Sequence, residues 1–347
     1  MESWRRRDTV GTAFALPLLG VAFAVAAPRM LCRARWQDRE PVVALWIWQC
    51  VVAAVLLCFG LSLLVTAAAL CAPLRADLFL LAPRGVQQAY GLATGGAWRG
   101  VFAAVLLTGA VHLVLHLARE AHLARISRRR RYRELRAAAP ALPRDPCLDT
   151  PRRLGRRAEH VLVMENPRPQ AWSLPVPRHP LQLVVSTGAM RRLSTEQLDA
   201  VLAHERAHAR ARHHLLLQSA GALTTAFPSS ALFAAYADRS ARLVELAADD
   251  AAAHRHGQLA TALALIDLND SRVGLARVPL PAGWSPGTPP PPPVEQITER
   301  VDRLLTGPPR LRPLQRLNLT AAGLAIILVP VLVALAPGLG ALFTTPW

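Results

Sequence analysis

The sequence predicts a mainly α, polytopic membrane protein, with about four transmembrane helices carrying a small α+β domain. Three observations lead there. The chain of 347 residues is 52% hydrophobic, more apolar than the core of a soluble enzyme requires. Four apolar runs, near 9–27, 42–70, 100–117 and 317–342, approach or exceed the roughly 20 residues that a spanning helix needs. Between the third and fourth runs lies a long polar stretch in which strand-like and helix-like patterns alternate with prolines.

Taken in order, the first run follows Arg5, Arg6 and Arg7, as the apolar part of a signal peptide would. Ala26 and Ala27 make a poor cleavage site because Pro28 follows at once, so the run reads as a helix. Orientation follows from the arginines, which gather on the cytoplasmic side of spanning helices. Arg119, Arg125, Arg128–Arg131, Arg133 and Arg136 follow the third span, and Arg310, Arg312 and Arg316 precede the fourth. Segment 118–316 is therefore expected in the cytoplasm. The first loop, with Arg29, Arg33, Arg35 and Arg39, lies on the same side, and the N-terminus lies outside despite its three arginines. Three regions result: a membrane region over 1–117, a cytoplasmic domain over 118–316 and a last span with a short tail over 317–347. His112 and His116 share one face of the third span, near the cytoplasmic end where they are expected to reach water.

All 40 basic residues are arginine, and the net charge is +17. Much of this charge flanks apolar runs, where anionic headgroups and insertion topology account for it. Membrane lipids are thus expected partners; direct nucleic-acid binding is not, because no reading motif accompanies the charge. The five cysteines, at 32, 50, 58, 71 and 147, form no CxxC pair and support neither a disulfide framework nor a cysteine zinc site.

Within 118–316, the stretches 160–165 and 181–186 read as strands. Ser194 opens a helix with a capping box completed by Gln197, and Leu198, Val201 and Leu202 continue at helical spacing. A second helix is predicted over 231–253, and the proline run within 285–293 reads as a linker or flap.

On the first of these helices stands His204-Glu205-Arg206-Ala207-His208, an HExxH pentad. Two histidines four apart project from one helical face and can bind a single Zn²⁺. The intervening glutamate then reaches a water in the open coordination position. Glu205 is the candidate catalytic base, which takes the proton of that water and passes it to the leaving amine.

Two residues compete for the third ligand position. His214 stands where HExxHxxGxxH would put a third histidine, but Ala211 replaces the turning glycine, between Arg210 and Arg212. On an unbroken helix His214 points away from the pentad's histidines and His213 lies opposite His204, so both are expected at a surface or interface. Glu245, on the second helix, completes a two-histidine, one-glutamate site. Asp249, one turn on, can accept a hydrogen bond from the far nitrogen of a zinc-bound histidine.

HExxH followed by ExxxD resembles the membrane gluzincins, the group containing HtpX, the CAAX prenyl endopeptidases and the BlaR/MecR-type sensors. Val184-Val185-Ser186-Thr187-Gly188, Val201-Leu202-Ala203-His204-Glu205 and Phe227-Pro228 with Glu245-Leu246-Ala247-Ala248-Asp249 carry the likeness, the last one towards the BlaR/MecR branch. The resemblance implies a zinc metalloendopeptidase with one Zn²⁺ per chain, acting on a protein or peptide, with a transcriptional repressor as one candidate. An HtpX-like quality-control protease and a non-catalytic signalling or scaffold protein with structural zinc are the alternatives. No penicillin-binding domain follows the last span, so direct β-lactam sensing is not expected. The histidine-proline pair that prenyl endopeptidases carry is also missing ahead of Glu299-Arg300-Val301. The oxyanion-stabilising group is left unassigned, with His254 and His256 as candidates.

Overall fold

A computed structural model describes residues 2–78, 80, 86, 89–90, 97–138, 160–174, 182–275, 294–307 and 309–344. The 285–293 linker and Cys147 lie outside the described residues. The helices are α1 (Glu2–Leu31), α2 (Pro41–Leu70), α3 (Ala72–Leu78) and α4 (Ala97–Ala138), followed by strands β1 (His160–Met164), β2 (Ala171–Leu174) and β3 (Gln182–Ser186). Then come α5 (Thr187–Arg192), α6 (Thr195–Arg210), α7 (His213–Ala226), α8 (Ala231–His256), α9 (Gln258–Leu275), α10 (Val294–Thr306) and α11 (Pro313–Thr344).

Phe14–Leu31, Pro41–Leu70, Gly100–Arg130 and Pro313–Ala341 are long and apolar enough to cross a membrane, and the protein is a multi-pass membrane protein. Glu40 lies just before α2, where burial of its carboxylate demands a partner. Arg316 of α11 supplies it, Nε to Oε2 at 3.3 Å, so α2 and α11 start at one level. α4 is 42 residues long, or about 60 Å at 1.5 Å per residue. It continues well past the expected span and carries its arginines out beside the domain.

The domain is tied into the bundle through α7 and α8. Leu223, Leu232, Phe233, Tyr236, Leu243 and Val244 share one buried cluster with Ala44, Trp48, Val51 and Val55 of α2. On the other side, Arg128 of α4 donates to the Gln218 amide oxygen Oε1 at 3.1 Å. His112 Nε2 donates to the carbonyl of Ala226 at 3.0 Å. His112 is exposed, as expected, and the α7–α8 turn in addition supplies an acceptor, with Phe227 meeting its ring edge-on at 5.9 Å. His116 Nδ1 is buried without a partner among the described residues.

β3 is fully buried, as its run Leu183-Val184-Val185 dictates, and lies between β1, parallel to it, and β2, antiparallel to it. Among the described residues β2 is therefore an edge strand. The connection ahead of β2 is stitched to the end of β3. Ser186 Oγ accepts from Gln170 N–H at 2.8 Å and donates to the Arg168 carbonyl at 2.7 Å. Gly188 N–H donates to the Asn166 carbonyl at 2.8 Å. A Cβ on Gly188 would lie 2.2 Å from the Pro167 oxygen, and backbone cannot step aside as a flexible side chain can. Gly188→Ala is expected to cost about 1–3 kcal/mol through overpacking, read as a lowered unfolding midpoint of the full-length protein.

Candidate metal centre

α6 begins as its sequence predicts. Ser194 Oγ accepts from Gln197 N–H at 3.2 Å, and Gln197 Oε1 accepts from Ser194 N–H at 2.7 Å. Leu198, Val201 and Leu202 then bury against Leu183 and Val185 of the sheet, which turns His204 and His208 towards α8. α8 presents Glu245 and Asp249, one turn apart, to the same space.

The structure brings one nitrogen of each histidine and one oxygen of Glu245 within 4.8 Å of one another. His204 Nε2 lies 3.1 Å from His208 Nε2. Glu245 Oε2 is 3.6 Å from His204 Nε2, and its Oε1 is 3.5 Å from His208 Nε2. A tetrahedron with zinc–ligand bonds of 2.0–2.1 Å has edges of about 3.3–3.4 Å, so the three side chains are spaced as ligands of one such ion.

Partners fix each ring from behind. His204 Nδ1 donates to Asp249 Oδ1 at 3.0 Å. Asp249 is only 1% exposed and is held by Arg300 of α10 through two hydrogen bonds of 2.7 Å. Arg300 Nη1 also reaches Glu245 Oε2 at 3.0 Å. Against the cost of burial, the carboxylates of Asp249 and Glu245 push His204 up to about 10. Burial, joined by the charge on His204, drives His208 down to about 3. Glu245 is held down at about 2 despite burial, by its hydrogen bond to His204 and by the Arg300 charge.

Glu205 is placed differently from its neighbours: Oε2 accepts from Ser173 N–H of β2 at 2.8 Å. Burial raises its carboxyl above the ordinary value, and the charge on His204 and the Ser173 hydrogen bond offset this only partly.

Two residues depart from the sequence reading. His213 is buried, not at a surface, and its Nδ1 lies 3.0 Å from His208 Nδ1. The helix expected to run on through 214 stops at Arg210. Arg212 then adopts φ 52°, ψ 37°, a left-handed conformation normally left to glycine or asparagine, and redirects the chain. His214 remains outside the cluster, as do His254 and His256 in the last turn of α8. With His208 Nε2 turned to the cluster, its Nδ1–H donates to His213. His213→Phe is expected to weaken zinc binding 10–100-fold, as loss of a residue that orients a ligand typically does; His213→Asp, which restores an acceptor, should recover most of it in a chelator competition.

No curated protein and no solved structure matches the chain. Residues 148–272 match the model of peptidase family M48, and the stretch that holds His204, Glu205, His208, Glu245 and Asp249 is thus similar to that metallopeptidase family.

Proposed function

We propose that this chain is a membrane zinc metalloendopeptidase in which His204, His208 and Glu245 hold one Zn²⁺ and Glu205 is the general base. The convergence of one nitrogen of each histidine and one oxygen of Glu245 within 4.8 Å of one another carries this reading. Zinc, when bound, supplies a Lewis acid that acidifies water and polarises a carbonyl. Glu205 accepts the water's proton, for which burial has raised its affinity, and returns it to the leaving amine. Asp249 keeps the His204 proton on Nδ1 and leaves Nε2 as the donor atom; Arg300 neutralises Asp249 and orients Glu245.

The outer side of β2, which pairs with no strand among the described residues, supports a peptide substrate. Gln170 pairs inward with Ser186, and by alternation Ala171 and Ser173 face outward. Ser173 gives its N–H to Glu205, which leaves outward carbonyls where an extended peptide can pair beside the catalytic carboxylate. We read the substrate as a cytoplasmic or membrane-associated protein, with a repressor cut in the BlaR/MecR manner as the leading candidate. An HtpX-like quality-control role uses the same site. The cytoplasmic orientation is supported by the arginines of the first loop and of the segment before α11, which lie at the same end of the bundle as the domain. Arg242 pairs with Asp38 at 2.7 Å, and Arg303 donates to the Asp38 carbonyl at 2.7 Å.

Metal analysis of full-length protein should find about one equivalent of zinc, since three protein ligands leave one position for water. Glu245→Ala should lose it. Retention by Glu245→Ala with loss by His214→Ala would reverse the ligand assignment. Reporter fusions after Arg136 should behave as cytoplasmic and those within 76–90 as external. Cleavage of a repressor encoded nearby separates the regulatory role from quality control.

A further inference from the structure

Next to the metal centre, one turn further along α8 and α10, lies a cavity of about 570 Å³ lined by Arg39, Asp250, His254, Gln258, Arg303 and Arg310, among others. Its charge is not balanced. Arg303 is matched by Asp250 through hydrogen bonds of 2.8 and 3.0 Å, but no acidic side chain among the described residues pairs with Arg39 or Arg310. The lining therefore carries two uncompensated guanidinium groups, whose flat forks suit phosphate oxygens.

The cavity's level in the fold says which phosphate. Arg39 stands two residues before Pro41, the first residue of α2, and Arg310 three before Pro313, the first of α11. The Arg316–Glu40 pair keeps those two starts at one height. Both arginines thus stand where two spanning helices leave the apolar layer, which is the height of lipid headgroups. We propose that this cavity binds the phosphodiester headgroup of an anionic phospholipid, with Arg39 and Arg310 as its principal contacts. The site is joined to the metal centre through α10 and α8. Arg303 follows Arg300 by one helical turn, and Asp250 follows Asp249, so a headgroup seated here braces the helix that carries Arg300. The proposal does not depend on the zinc reading, since its measurement is lipid binding.

Full-length protein in a non-ionic detergent is titrated with short-chain phosphatidylglycerol, with the matching phosphatidylcholine and with inorganic phosphate, while the unfolding midpoint is followed. Phosphatidylglycerol should raise the midpoint saturably and phosphatidylcholine should not. Arg39→Gln with Arg310→Gln should weaken the response about thirtyfold, two arginines at about 1 kcal/mol each. Both side chains are exposed, so the variant should melt like wild type without lipid. An equal response of the wild type to both lipids, or of wild type and variant to phosphatidylglycerol, overturns the proposal. Inorganic phosphate binding as tightly as phosphatidylglycerol overturns the lipid assignment and leaves a site for a soluble anion. The wild-type comparison stands even if the double variant does not fold.

Discussion

Replacing Glu205 by glutamine is expected to lower peptide hydrolysis on the order of 10²–10⁴-fold, with the fold and one equivalent of zinc retained. Glutamine keeps the shape of the side chain and an oxygen to accept the Ser173 N–H, but it cannot take a proton from water. The metal ligands are untouched, because Glu205 turns to β2 and not to the His204–His208–Glu245 triangle. The check is a pair of measurements on the same preparation: zinc content, and turnover of a fluorescent peptide that the wild type cleaves. Full activity in Glu205→Gln would assign proton transfer to another group. Normal signalling in cells by the variant, with no partner cut by either protein, would leave the zinc a structural role.

The Arg300–Asp249 pair should dominate the stability of the domain. With side-chain exposures of 9% and 1%, neither ion is screened by water, and removal of one partner from a buried pair typically costs about 3–5 kcal/mol because the other charge stays behind. Arg300→Ala is therefore expected to lower unfolding stability by that amount and to loosen zinc, since both Asp249 and Glu245 lose their counter-charge. Arg300→Met combined with Asp249→Asn removes both charges and should recover much of the stability. A loss below about 1 kcal/mol for Arg300→Ala would mean that water reaches Asp249 and that the pair is not sealed.

What could be read from the sequence was whatever is written locally. Ser194 and Gln197 are three residues apart, the two histidines of the pentad four, and Glu245 and Asp249 four; helical periodicity alone puts each set on one face. The apolar runs declare the spans by their length. What the sequence did not disclose depends on contacts between distant segments or on a backbone choice without a signature. Arg300 meets Asp249 across 51 residues, and nothing near Glu299-Arg300-Val301 names that partner. Ser173 belongs to a four-residue edge strand whose existence rests on pairing with β3. Arg212 is the clearest case: without a glycine or asparagine, no residue type announced the left-handed turn that buries His213 behind His208.

The wedge formed by α7 and α8 bears on how the protein can be handled. Excision of the stretch from 118 to 316 as a water-soluble fragment would strip α2 from Leu232, Phe233, Tyr236 and Leu243, each less than 7% exposed in the intact chain. A contiguous apolar face of that kind drives association, so such a fragment should aggregate or require detergent. Glu245 and Asp249 stand on the same helix as those four side chains. Crystallisation, inhibitor screening and enzymology are accordingly best planned around the whole chain in a lipid environment.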